Sequence, residues 1–282
     1  MTGLLTGLLG GRIDRTRPVP PARFEIRTDW CNHWHEEADR AWWDPNGPAK
    51  LLHTMNPVRV AFFLDQLRDG LGAVRGRRVL DAGCGGGLVA AGLAVAGATV
   101  VGVDQSPASL GVAGRHVPAG FTPLAGTLER LPLADGAIDA VVAADVLEHV
   151  GDLPAVVAEL ARVLAPGGLL LFDTVNRTGW AWFVAIFGAE RMVGLVPRGT
   201  HDWRLFIRPG ELDRLLRGAG LAQVRVAGLV PRITPAVVAR GLATRHLDPP
   251  SWRLGRSRRA SYVGSYRKTG SATGRMRGGE AA

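Results

Sequence analysis

The chain lacks several features that would assign it quickly. Its 282 residues include only two cysteines, Cys31 and Cys84, too few for a disulfide framework. No stretch reaches the roughly 18 uninterrupted apolar residues that a spanning helix needs. The opening MTGLLTGLLGG is apolar but short and has no basic flank, which argues against a secretory signal. No internal repeat recurs. A basic fold is missing too, although the formal charge is +9. Residues 1–30 hold five Arg and three acids, residues 251–282 hold eight Lys+Arg and one Glu, and residues 31–250 hold 21 charges of each sign. A nucleic-acid-binding module concentrates its basic residues on a folded surface, so no nucleic-acid partner is expected. Basic ends support only a salt-sensitive attraction to polyanions, an anionic lipid surface among them. The expected location is cytoplasmic, with a fraction peripheral at the inner face of the membrane.

What is present is apolar substance: 46% of the residues are hydrophobic, enough for a sizeable core. Residues 1–29 read as a flexible basic segment and 269–282 as a flexible Gly/Arg-rich tail. Between them, EEADRAWWD (36–44) reads as a short amphipathic helix. PVRVAFFLDQLRD (57–69) reads as another, with Pro57 suited to its first turn. From residue 78 the pattern changes. RRVLDAG, ATVVGVD, IDAVVAAD and LLLFDTV read as strands separated by helices at 88–96, 107–114 and 154–164, the last helix stopped by Ala-Pro-Gly-Gly before LLLFDTV. That alternation predicts βαβ units around a mostly parallel sheet, an α/β fold. The run WAWFVAIFGAERMVGLV (180–196) interrupts it as an apolar helical insertion, before a helix at 209–219 and final strands in LAQVRVAGL and ASYVGSYR.

The sharpest local element is Asp81-Ala-Gly-Cys-Gly-Gly-Gly87, directly after a strand. Small residues let a backbone turn tightly and approach a ligand. A dinucleotide site would place a pyrophosphate on this loop, which Asp81 would repel. Asp81 suits a cationic amino-acid group instead, or orients the loop. Asp104, with Gln105 beside it, closes the second strand 23 residues later and can accept both hydroxyls of a ribose. A nucleoside bearing an amino acid, as S-adenosylmethionine (SAM) is, fits both acids. Leu128 and Glu129 follow the expected third strand, where an adenine edge could be met.

Asp145, Glu148 and His149 follow the fourth strand. If DVLEH is helical, they share one face. Two carboxylates and an imidazole can hold Mg2+ or another divalent cation, which would lower the pKa of a bound phenol. In the alternative, Asp145 contacts cofactor and His149 is a general base without metal. His201, with Asp202, is a second candidate base. The insertion at 180–196 reads either as a core helix or as an interfacial lid for a greasy substrate, with Arg198 adding attraction for anionic lipid.

Taken together, AWWDPNGPAKLLHTMNPVR (41–59), VLDAGCGGGLVA (79–90), LEHV (147–150), LAPGGLLLFDTVNR (164–177) and GTHDWRLFIRPGEL (199–212) resemble class I SAM-dependent methyltransferases. More narrowly, they resemble the ubiquinone-biosynthesis O-methyltransferase family, from about residue 34 to 268. The resemblance implies a Rossmann-like seven-stranded sheet in one domain, 30–268, with an N-terminal helical segment over the cofactor. It implies SAM as cofactor, Arg59 near the SAM carboxylate, Gly83 and Gly85 beside its methionine, and Asp104 on the ribose. The family pattern Glu-x-x-Glu-His stands here as Asp145-x-x-Glu148-His149, a carboxylate one methylene shorter. Residues 180–196 match the region the family links to membrane approach and a polyprenyl tail. The expected reaction is methylation of a hydroxyl on a catechol, quinol or related aromatic. The competing readings are small-molecule C- or N-methylation and a SAM-binding regulator without catalysis. An NAD-dependent dehydrogenase is the remaining enzyme alternative.

Overall fold

The structure, a computed structural model, describes residues 38–192, 200–232 and 250–270. The expected basic N-terminal segment, most of the glycine/arginine tail, the end of the insertion and Arg198 lie outside the described residues. Eight strands form one sheet: β1 (Arg78–Ala82), β2 (Thr99–Asp104), β3 (Phe121–Ala125), β4 (Ile138–Ala144), β5 (Leu164–Val175), β6 (Leu221–Arg232), β7 (Ser251–Gly255) and β8 (Ser261–Lys268). Their spatial order is β3-β2-β1-β4-β5-β8-β6-β7. Strands β1 to β5 pair in parallel, while β8, β6 and β7 join antiparallel. The central strands are apolar on both faces because both faces are covered.

Helices α2 (Lys50–Leu71), α3 (Leu88–Val95) and α4 (Pro107–His116) contribute to the core on one face, through Phe62, Phe63, Leu67, Leu93 and Ala113. Helices α5 (Leu153–Val163) and α6 (Pro209–Gly218) cover the other, through Val156, Leu160, Leu212 and Leu216. A short helix α1 (Ala38–Trp43) lies against α4. The sequence order reverses where β1 neighbours both β2 and β4, the switch point at which such sheets bind ligands beyond the carboxyl ends of their strands.

Three expectations change. The sheet has eight strands, not seven: β6 runs on to Arg232, and Ser251–Gly255 covers its outer end over Gly228–Arg232. Helix α2 begins at Lys50, so Pro57 lies inside it rather than in its first turn. An interior proline costs about 3 kcal/mol. The turns before it are held by tertiary bonds that offset this: His53 Nε2 to Trp42 O at 2.8 Å, Asn56 Nδ2 to Leu88 O at 2.7 Å, and Trp252 Nε1 to Thr54 Oγ1 at 3.3 Å. Ala-Pro-Gly-Gly does not separate helix from strand. It is absorbed into the start of β5 as a register shift opposite Ile138 and Ala140.

The insertion is helical where described: one turn at Gly179–Ala181 continues as a π-helix, Trp182–Met192. It buries Ala181 and Ile186 against Val175 and Phe206 but presents aromatics outward. Trp180, Trp182, Phe183 and Phe187 are exposed and stack on one another. No helix among the described residues is long and apolar enough to cross a membrane.

Candidate active site

Strand alternation decides which acids meet. Val79 of β1 and Leu171 of β5 face the α2 side. Period two puts Asp81 and Asp173 on that same side, at the carboxyl ends of their strands. Arg59 comes down from α2 between them. All three are 2–3% exposed, and Arg59 Nη1 lies 3.6 Å from Asp173 Oδ2. Arg59 Nε is fixed by Asn56 Oδ1 at 2.9 Å. Burial raises the Asp81 carboxyl to about 7 against the opposing pull of Arg59, and it raises Asp173 as well. Arg59 Nη1, Asp81 Oδ2 and Asp173 Oδ1 are buried with no hydrogen-bond partner among the described residues. Orphaned groups of this kind cost about 1–3 kcal/mol each. One orphan donor and two orphan acceptors in one cleft match a carboxylate and an ammonium. The amino-acid end of SAM carries both, so the residues present fit that cofactor.

The glycine loop closes the cleft. Gly83 and Gly85 have φ of 73° and 50°, conformations that side chains rarely adopt. Space is the second constraint. A Cβ on Gly83 would lie 2.4 Å from Val146 Cγ2, and one on Gly85 2.4 Å from Trp42 Cη2. Trp42 thus roofs the loop, with its indole Nε1 donating to Ser109 Oγ at 3.1 Å. Trp43 Nε1 donates to Gly86 O at 2.8 Å. The expected N-terminal cover is present as α1. Asp104 ends β2 with Oδ2 accepting from Gly85 N at 2.9 Å and Oδ1 from Ser106 N at 2.8 Å. Each oxygen keeps a lone pair, so the acid both ties the loop and can receive ribose hydroxyls. Gln105 beside it is exposed. Leu128 is buried just beyond β3 in the core cluster that contains Val103, Leu131 and Leu133.

On the other side of the switch point the expected metal triad is not assembled. Asp145 has φ of 53° and donates its N–H to Asp173 O at 3.3 Å. The chain therefore turns sharply out of β4 instead of starting a helix, and only Leu147–His149 form a 3-10 turn. The helical face shared by Asp145, Glu148 and His149 does not exist. Glu148 is buried, its Oε2 accepting from Thr174 Oγ1 at 2.8 Å and its Oε1 from Val175 N at 3.2 Å. Burial pushes its carboxyl well above the ordinary range, and the charge of Asp145 adds to this. Glu148 thus braces the turn onto β5, with both of its carboxylate oxygens engaged. No group of three or more His, Cys, Asp or Glu among the described residues stands where it could hold a metal ion. These side chains do not fit a divalent cation.

His149 does find a partner. Its ring centroid lies 5.7 Å from that of His201, and His201 packs edge-on to Phe206 at 5.8 Å. Residues 52 positions apart thus converge. Asp202, next to His201, is paired with Arg204. Its carboxylate takes Arg204 Nε at 3.0 Å and Arg204 N at 2.9 Å, bonds that lower its pKa. Sequence reasoning missed Asp173 and the loop contact of Trp42. Asp173 carries the same signature as Asp81 and Asp104, an acid ending an apolar strand. Nothing in the spacing of Trp42 points to the loop.

A family model described as "Methyltransferase domain" matches residues 80–172. The chain is 45% identical over 218 residues to a ubiquinone biosynthesis O-methyltransferase of Alkalilimnicola ehrlichii, covering 74% of this chain and 86% of that protein. It is 42% identical over 192 residues to a protein of the same name from Methylococcus capsulatus, covering 67% and 79%. Among solved structures, magnesium protoporphyrin IX methyltransferase from Synechocystis superposes with a TM-score of 0.59 at 20% identity, over 86% of this chain and all of that one. A methyltransferase from Thermotoga maritima superposes with a TM-score of 0.55 at 20% identity, over 86% and 99%. Likeness at that identity shows the fold.

Proposed function

The chain belongs to the ubiquinone biosynthesis O-methyltransferases, SAM-dependent enzymes, and from that premise we propose that it methylates a hydroxyl of a catechol, quinol or related aromatic carrying an apolar tail. The observation that carries this reading is the convergence of His149 and His201 at the end of the sheet that also holds the Arg59–Asp81 cleft. When bound, SAM supplies a methyl group already activated on a sulfonium. The chain has to hold the acceptor in line, remove one proton and exclude water. Arg59 binds a carboxylate, Asp81 an ammonium and Asp104 a ribose, which leaves the two imidazoles for the acceptor.

His149 takes the phenolic proton as the new bond forms. A free phenol, with a pKa near 10, lies about 3.5 units above an imidazole near 6.5. Complete transfer before attack would cost about 5 kcal/mol, so proton removal accompanies methyl transfer. His201 orients the hydroxyl from the other side. No step passes through a metal.

The exposed stack Trp180, Trp182, Phe183 and Phe187 supports an apolar acceptor that approaches from a membrane surface. Arg259 lies 6.0 Å over the Trp180 ring, and Arg256, Arg258 and Arg259 are all exposed in the connection between β7 and β8. Aromatics beside clustered arginines suit an anionic interface. The test is transfer of labelled methyl from SAM to a panel of catechols and quinols, with and without chelator and detergent. Transfer to hydroxyls that survives chelator is expected. Transfer only to carbon or nitrogen acceptors, or SAM binding with no transfer at all, would replace this reading.

A further inference from the structure

Asp173 has no counterpart among the glycine-loop and ribose residues, yet it is the other acid in contact with Arg59. Burying a carboxylate is costly unless it is paired and fully hydrogen-bonded, and this one is paired but not fully hydrogen-bonded. Its Oδ2 lies 3.6 Å from Arg59 Nη1, beyond a good hydrogen bond, and its Oδ1 has no partner. The neighbouring acid Asp81 shows the same pattern at Oδ2. The strand register explains how the two acids share a space. Asp81 is aligned with Val142 and Asp173 with Ala144, so the small Ala144 at the end of β4 is the floor between them. Two acids face one guanidinium there, so together they offer more acceptor oxygens than Arg59 satisfies.

We propose that Asp173 determines specificity for the amino-acid end of the cofactor, Asp173 Oδ1 and Asp81 Oδ2 receiving the α-ammonium while Arg59 Nη1 receives the α-carboxylate. The inference rests on the SAM-dependent reading above. Arg59 has a single orphan nitrogen, which suits one carboxylate oxygen. The two orphan acceptors suit an ammonium, whose three N–H groups one carboxylate cannot satisfy in the required directions. The residue is thereby a discriminator: a nucleoside sulfide without the amino-acid group leaves both orphan oxygens unsatisfied and is rejected.

The experiment compares binding of SAM and of 5′-methylthioadenosine, which lacks the amino-acid end, by calorimetry in wild type and Asp173→Asn. The expected result is a loss of roughly tenfold or more for SAM, with methylthioadenosine unchanged or improved. Equal loss for both ligands, or no loss for either, overturns the assignment. If wild type binds no SAM, the SAM-dependent reading itself fails, which is a different outcome. If Asp173→Asn does not fold, Asp81→Asn serves instead. With Asp173 still present, it should prefer S-adenosylhomocysteine over its deaminated analogue several-fold. Equal binding of those two ligands by Asp81→Asn overturns the proposal.

Discussion

The two halves of the cleft are built differently. The cofactor half uses adjacent pieces: Asp81, Gly83 and Gly85 lie within five residues, and Asp104 is bonded to Gly85 across one strand pairing. The acceptor half is assembled from afar. His149 follows β4, His201 lies beyond the aromatic insertion, and the Glu148 brace reaches 26 residues to Thr174. The first half is a local backbone device held by positive-φ glycines. The second is a tertiary arrangement, free to change with the insertion that carries His201. Cofactor chemistry is therefore the steadier property, and acceptor choice the more adjustable one.

The strongest way to break this comparison is at His149. A positioned general base is worth about 10²- to 10⁴-fold. His149→Ala should lower kcat by about 10²-fold or more while SAM affinity, measured by calorimetry, stays within about twofold. A parallel fall in SAM binding would merge the two halves into one functional unit. His201→Ala should cost less, about tenfold, because it orients the hydroxyl without taking the proton.

Asp104→Ala is the converse test. Hydrogen bonds to a charged group are worth about 1.5–3 kcal/mol each, and the variant loses the loop tie to Gly85 as well as the ribose contact. SAM affinity should fall about 10- to 100-fold, while kcat at saturating SAM changes much less. An unchanged Kd would remove Asp104 from the cofactor site.

What the sequence showed follows this same division. The parallel sheet, the glycine loop and the strand-ending acids were legible because each is a local pattern: an apolar run, a turn requirement, a charge at a strand end. Pro57 misled because three tertiary bonds outweigh its cost in a helix. DVLEH misled because helical spacing cannot announce a left-handed residue such as Asp145, which β5 holds through the Asp173 carbonyl. Glu148 reads as chemistry in one dimension and is a brace in three. The pairing of His149 with His201 was beyond reach, since no spacing rule joins segments separated by an insertion. Strand β7 was missed because SWRLG gains its pairing only from the overhang of β6.

A smaller effect sharpens the cofactor half through pH. The Asp81 carboxyl is raised by burial to about 7 from 3.8. Below pH 3.8 it is protonated whether the chain is folded or not, and contributes nothing. Between 3.8 and 7 the unfolded chain ionises while the folded one keeps its proton. Stability without ligand therefore falls by about 1.4 kcal/mol per pH unit, toward a cost of about 4 kcal/mol at most. The ammonium of SAM needs the ionised carboxylate. Affinity should thus weaken as pH drops from 7.5 to 5.5, approaching tenfold per unit for each proton involved, and Asp81→Asn should make the profile shallower, leaving the part carried by Asp173, whose carboxyl burial also raises to about 7. A wild-type Kd that is constant over that range would show that Asp81 does not pair with the ammonium.

The smallest expected effect on the enzyme's own chemistry comes from the aromatic face. Trp180, Phe183 and Phe187 are exposed, and replacing all three by Ser removes no core contact. Surface changes of this kind stay within about 0.5 kcal/mol each, so Tm, SAM affinity and turnover of a short water-soluble catechol should hardly move. Binding to vesicles containing anionic lipid should fall, because burial of apolar area is lost while the arginines between β7 and β8 remain. Raising salt should then remove most of what is left, since screened charge is all that holds it. If the triple variant binds vesicles as wild type does at every salt concentration, the aromatic face is not where the acceptor's apolar tail arrives.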